Sequence, residues 1–287
     1  MNRFLAGLTL TALAFSLFVL PNSGCTKTNT VTDTVTKRDT TIVTDTVKVY
    51  WDTTYRHIND SLWAYYKFNG NLADSSGNNH AITLYSGAAL GIDAFGRPDS
   101  ALNFIGGACR AIIADGTNFT APDFTVSFLV QYTGANTIGL VFNKIDYDDA
   151  TGYTFGFGTD AVFYPNRYRF SFNNAPASQL CSTPISSSWN VLDSSGDYTL
   201  SVNSWYMFTG TFSNGHAKFY KNGILVAQQT LPVNNVTFCS NASFELGNWW
   251  ASDNTPAFHG NMDEVRIYTR AITDKEAKYL FNTFQRH

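Results

Sequence analysis

The residues able to do chemistry in this chain are its carboxylates, histidines, serines and indoles, and their spacing limits what that chemistry can be. Acid–base cleavage needs two carboxyl groups facing each other across the scissile bond. Asp263 and Glu264 are sequential within an alternating apolar segment. Neighbours on a strand point to opposite faces, so the spacing predicts that these two acids do not share a substrate. Glu245 stands in the apolar run Phe244-Glu245-Leu246, with no second carboxylate two residues away. The five histidines are scattered, and Ser186-Ser187-Ser188 lacks the strand–turn–helix setting of an activated serine. Binding is better supported than catalysis. Trp249-Trp250 lie in a loop rich in Gly, Asn, Ser and Asp. Exposed indoles stack on sugar rings while amides and carboxylates bond the hydroxyls, which makes Asn248, Asp253 and Asn254 the polar partners of a shallow glycan site. The competing reading puts one Trp in the core and makes the other a loop anchor. Asp146-Tyr147-Asp148-Asp149 could attract a cation or form a solvated hairpin tip.

The elements that position these residues read as strands. Of 287 residues, 44% are hydrophobic, 15% aromatic and only 14% charged, a balance suited to pleated, half-buried surfaces. The net charge of -3 leaves no basic footprint for nucleic acid and no polybasic membrane patch. Alternating segments recur at 62–68, 101–104, 124–131, 153–157, 168–172, 205–212, 217–221 and 263–268, separated by Gly, Asn, Asp and Ser. That spacing predicts an all-β sandwich or barrel. Asn222-Gly223, flanked by apolar alternation, predicts a type I′ hairpin. Only the end reads as helix, from Asp274 to about residue 284, with Thr273 as cap and Glu276 closing a capping box. Helices and strands do not alternate, which disfavours a parallel α/β enzyme fold.

The first residues stand outside this pattern. Arg3, the apolar run Phe4–Leu20 and then Pro21-Asn22-Ser23-Gly24-Cys25 form a secretory leader. Its end resembles a bacterial lipobox, in which cleavage leaves Cys25 as the acylated N-terminus. An uncleaved membrane anchor is the alternative. Residues 26–56 are rich in Thr, Val and Asp, with Val-Thr-Asp-Thr-Val at 31–35 and again at 43–47. With no second apolar face to bury, this stretch reads as an extended tether. The organisation expected is a leader over 1–25, a tether over 26–56 and one domain over 57–287. With Cys25 given to lipid, Cys109, Cys181 and Cys239 remain. In an oxidising compartment one disulfide can form, with Cys181 and Cys239 the leading pair, and buried small hydrophobes would explain these residues equally well.

Several segments, in order, resemble the bacterial LamG-like jelly-roll domains of the concanavalin A-like lectin/glucanase superfamily. They are Leu62–Phe68 with the Asp74-Ser75-Ser76-Gly77-Asn78 loop, Ser100–Phe104, Phe124–Phe128, Trp205–Phe212 with Phe219–Gly223, and Phe258–Tyr268 running into Arg270–Thr273. The resemblance implies a two-sheet antiparallel jelly-roll sandwich with a short C-terminal helix. It also implies a structural calcium ion where the first loop meets the last strand, with Asp74 and Asp263 as carboxylates and oxygens from Ser76, Asn78 and His80 completing the shell. Without calcium, Asp74 would cap an Asx turn and Asp263 would pair with Arg266 or Arg270. Glucanases of this superfold carry a Glu-x-Asp-x-x-Glu cluster on one strand, and none is present here. The function expected is a membrane-tethered, non-catalytic binding module for carbohydrate at the cell envelope, anchored in the outer membrane. A protein-binding adhesion or envelope-assembly protein, and a divergent glycoside hydrolase, are the alternatives.

Overall fold

The repeated pentapeptide pairs with itself. β1 (Asn29–Val35) and β2 (Val43–Val49) form an antiparallel two-stranded ribbon in which Val31 is opposite Val47, Asp33 opposite Asp45 and Val35 opposite Val43. Both copies are extended, and where the sequence reads as an unpaired tether each copy is the other's partner. Chain contacts divide the molecule between Thr53 and Thr54, and the second unit carries the predicted strands. The computed structural model describes the backbone of 29–35 and 43–49. Between 57 and 284 it describes all residues except 134–138, 150, 161–163, 174, 183–188, 194–199, 232–234 and 249–257. The expected leader and Cys25 lie outside the described residues, among which no helix is long and apolar enough to cross a membrane.

The second unit is a sandwich of two antiparallel sheets. One runs β12 (Trp189–Asp193), β11 (Tyr164–Asn173), β10 (Phe155–Asp160), β9 (Gly139–Ile145), β16 (Ser243–Leu246), β7 (Arg110–Ile113), β4 (Ile82–Tyr85). The other runs β15 (Ile224–Thr230), β14 (His216–Lys221), β13 (Trp205–Ser213), β8 (Phe124–Tyr132), β17 (His259–Tyr268), β6 (Ala101–Ile105), β5 (Ala89–Gly91), with β3 (Leu62–Tyr66) also on β17. Alternate residues of both sheets interdigitate in one aromatic core. Phe124 and Phe155 stack at 4.7 Å and Phe157 and Phe170 at 4.6 Å, geometries that add to the burial of their large apolar areas.

Three sequence signals hold as local structure. Asn222 and Gly223 both take positive φ (53° and 71°) where β14 turns into β15, the backbone a type I′ hairpin demands. The helix α2 (Asp274–Phe284) opens with the expected box: the Glu276 N–H donates to the Thr273 hydroxyl, and the Thr273 N–H donates to the Glu276 carboxylate. Its buried Ala277 and Leu280 pack on Leu129, Met207, Tyr220 and Tyr268. Cys181, just after the short helix α1 (Ala177–Leu180), bonds Cys239, and Cys109 is a buried free thiol.

One local rule fails, with consequences for the sites. Along one edge β17 pairs first with β6, over His259–Met262, and then with β3, over Val265–Tyr268. Between these partners the register with β8 jumps from Asp263 to Arg266, and Glu264 takes φ +52°. This bulge breaks the strict alternation of side chains. Asp263 and Glu264 do not point to opposite faces as the sequence predicts; both line one cavity.

Candidate functional site

The first loop folds around Asp74. Its Oδ1 accepts from the N–H groups of Tyr65 (2.9 Å) and Ser76 (2.8 Å), and its Oδ2 from the His80 N–H (3.0 Å) and the Ser76 hydroxyl (2.8 Å). Burial opposes ionisation of this carboxyl, but those donors outweigh it and hold the group below its ordinary range. Asn78 Nδ2 donates to the carbonyls of Leu62 and Trp63, while the His80 carbonyl accepts from Tyr66 OH. The His80 ring stacks on Trp63 and bonds Asp115 through Nδ1. A carboxylate has about four lone-pair sites, and all four of Asp74 face donors. The loop Asp74, Ser76, Asn78, His80 therefore has the geometry of an Asx-capped turn and does not fit a calcium shell. Among the described residues no three His, Cys, Asp or Glu side chains gather as a metal cluster.

Asp263 stands apart from that loop. It is buried, and its Oδ1 accepts from the Glu264 N–H at 2.7 Å. Neither expected partner is an ion pair of Asp263: Arg266 pairs with Glu264, and Arg270 with Glu276. The bulge causes this exchange, because it turns Glu264 back toward Arg266 and Tyr65, whose hydroxyl donates to Glu264 Oε2 at 2.6 Å. Burial, and then the nearby Glu264 and Asp93 carboxylates, push Asp263 up to about 8. The cavity of about 330 Å³ beside it is also lined by Lys67, Asn69, Phe95 and Tyr279.

A second polar group lies on the outer face of the seven-stranded sheet. Phe244 and Leu246 of β16 enter the core, so Glu245 between them faces away from it, and Asn143 is its cross-strand neighbour on β9. Arg110 of β7 comes to the same place, its Nε 3.9 Å from Glu245 Oε2, too far for a hydrogen bond. The guanidinium lies between two rings, 3.8 Å from the Tyr147 centroid and 4.7 Å from that of Tyr85. Glu245 is 1% exposed, and its Oε1 accepts from the Ser243 hydroxyl. Burial raises its pKa to about 8 against the lowering by Ser243 and Arg110, with Asp148 and Asp146 adding to the rise. Arg110 Nε, Glu245 Oε2 and Asn143 Oδ1 are buried without hydrogen-bond partners. Asn143 Nδ2 donates to the Asn248 carbonyl, and Asn248 Nδ2 to the Gly107 carbonyl.

Of the residues expected to bind sugar, Asn248 thus borders this patch, while Trp249, Trp250, Asp253 and Asn254 lie outside the described residues. The sequence shows Glu245 without a second acid at the spacing catalysis needs. The partners that matter are an arginine and an asparagine on neighbouring strands, far off in the chain. Lys144 was missed altogether: it is buried on the core side of β9, donating to the carbonyls of Gly116 and Ala242, and burial lowers it to about 7.

Comparison with known proteins agrees with this architecture. No curated protein matches the sequence. Among solved structures, the botulinum neurotoxin serotype D ligand-binding domain, in complex with N-acetylneuraminic acid, superposes with TM-score 0.59 at 14% identity, over 80% of this chain and 53% of that one. Domain 4 of AbnA, a GH43 extracellular arabinanase from Geobacillus stearothermophilus in complex with arabinotriose, gives TM-score 0.57 at 23% identity, over 77% and 98%. The chain spans about half the length of the toxin structures it matches. These likenesses establish the fold. Residues 106–278, more than half of the sequence, match the Laminin_G_3 family model, and the chain belongs to that family of the concanavalin A-like lectin/glucanases superfamily.

Proposed function

We propose that this protein is a non-catalytic carbohydrate-binding module, held at the cell envelope by a lipid on Cys25. The observation that carries the reading is the Arg110–Glu245–Asn143 patch. It gathers a guanidinium N–H, a carboxyl oxygen and an amide oxygen, each without a hydrogen-bond partner, within a single buried patch on a sheet face. A sugar hydroxyl both donates and accepts, which suits this mixture of polar groups, and the Tyr85 ring, 41% exposed, offers a stacking surface beside Arg110. The sugars bound in two structures of the same fold support a carbohydrate ligand. Glu264 argues against hydrolysis, because its carboxylate is engaged by Arg266 and Tyr65 and is not free to act on a substrate beside Asp263. Calcium enters this proposal at Asp263 alone, a buried carboxyl that lines the cavity.

The test is retention of the compact unit Thr54–His287 on a panel of immobilised polysaccharides, with and without EDTA. Retention on a few polymers, lost in Arg110→Ala and weakened in Glu245→Gln, supports the assignment. Retention on none would shift the reading to a protein-binding adhesion or envelope-assembly role. Release of reducing ends would establish hydrolysis instead.

A further inference from the structure

The Val-Thr-Asp-Thr-Val repeat has no part in the binding reading. Both copies are palindromes, so each presents the same order of residues whichever way it is read. Antiparallel pairing therefore sets like opposite like: Val31 with Val47, Thr32 with Thr46, Asp33 with Asp45, Thr34 with Thr44 and Val35 with Val43. Among the described residues the ribbon has two strands, and neither pairs with a further strand along its other edge. An isolated two-stranded ribbon is marginally stable in water, and a third strand is the usual remedy. Neither strand carries a proline or bulge of the kind that blocks sheet edges, and the charged residues within them are Asp33, Asp45 and Lys48. The segment whose sequence fits either open edge in the same antiparallel register is a further copy of this pentapeptide.

We propose that β1 and β2 are a homotypic docking element, in which the ribbon of one molecule pairs edge to edge with that of a second copy of this chain. Backbone hydrogen bonds between the ribbons hold the copies together, and the palindrome fixes their register. The aligned aspartate positions work against the pairing, since like charges directly opposite repel. Assembly of this kind would present several sandwich units together and raise avidity for a repeating ligand without any new contact in the binding patch.

The test is the light-scattering mass of the full chain in detergent, compared with Thr32→Pro/Thr46→Pro and Asp33→Asn/Asp45→Asn. Proline removes a ladder donor from each strand and should raise the dissociation constant at least about tenfold, with the melting temperature of the sandwich unchanged. The asparagine variant should associate more tightly than the wild type. A monomeric wild type would overturn the proposal. So would an oligomer that survives in the proline variant, because association would then run through another part of the chain. Looser or unchanged association in the asparagine variant would overturn the aligned register.

Discussion

Glu245→Gln tests whether the polar patch holds an uncompensated acid. In the folded protein this carboxyl keeps its proton up to about pH 8, whereas the unfolded chain releases it near the ordinary value of 4.5. The folded state therefore binds more protons across that window, and stability falls as pH rises through it. Each such group contributes at most about 1.4 kcal/mol per pH unit. Asp263, raised from 3.8 to about 8, shares the window. Lys144 acts with the opposite sign, but only above about pH 7, where the folded state gives up a proton that the unfolded state retains. Between pH 5 and 7 the two acids thus dominate, with a combined loss of at most about 5 kcal/mol. Urea denaturation at half-unit steps should show that loss in the wild type and about half of it in Glu245→Gln. Parallel profiles for the two proteins would refute the reasoning, because Glu245 would then be ionised in the fold and Arg110 would be a true ion-pair partner despite the 3.9 Å gap.

Three further outcomes follow from the same geometry. Replacing both disulfide cysteines by serine opens a cross-link spanning a sequence separation of 58. Chain entropy puts the cost at about 4 kcal/mol, or a melting temperature roughly 10 °C lower by calorimetry. Asp74→Ala leaves the N–H groups of Tyr65, Ser76 and His80 without their acceptor and should cost about 1–3 kcal/mol, measured by urea midpoint. Its lowered pKa gives Asp74 the opposite sign to Glu245: the stability it supplies is present at neutral pH and is lost as acid protonates it. Calcium should raise the melting temperature of the wild type and of Asp74→Ala but not of Asp263→Asn; an equal rise in Asp263→Asn would remove the ion from that cavity.

What was legible in the sequence was local. Asn222-Gly223 announces its turn because φ > 0 at both positions is a property of two residues, and the Thr273–Glu276 box spans a single helical turn. The all-β character follows from period-two alternation, which each strand carries by itself. The sites depend on longer relations. Arg110 reaches Glu245 because β7 and β16 pair, an adjacency set by topology and not by either segment. The bulge at Asp263-Glu264 was invisible for a related reason. It arises where two strands from the first half of the domain share one edge of β17, and nothing within the run Met262–Tyr268 records that. Asp74 was legible as a hub but ambiguous in role, since an Asx turn and a cation shell use the same acid–glycine loop, and only the count of donors separates them.

The position of β17 also bears on the order in which the molecule can form. This strand touches β8, β6 and β3, yet among the described residues it is the last strand in the sequence, beginning at His259. Until it arrives, the middle of the eight-stranded sheet is missing, and β8 and β6 have no common neighbour. The closing contacts join residues about 200 apart, such as Tyr65 with Arg266. Closing so long a loop comes late and slowly. A chain emerging N-terminus first would therefore stay without its central strand until β17 itself has been made, and through that interval β8, β6 and β3 remain unjoined.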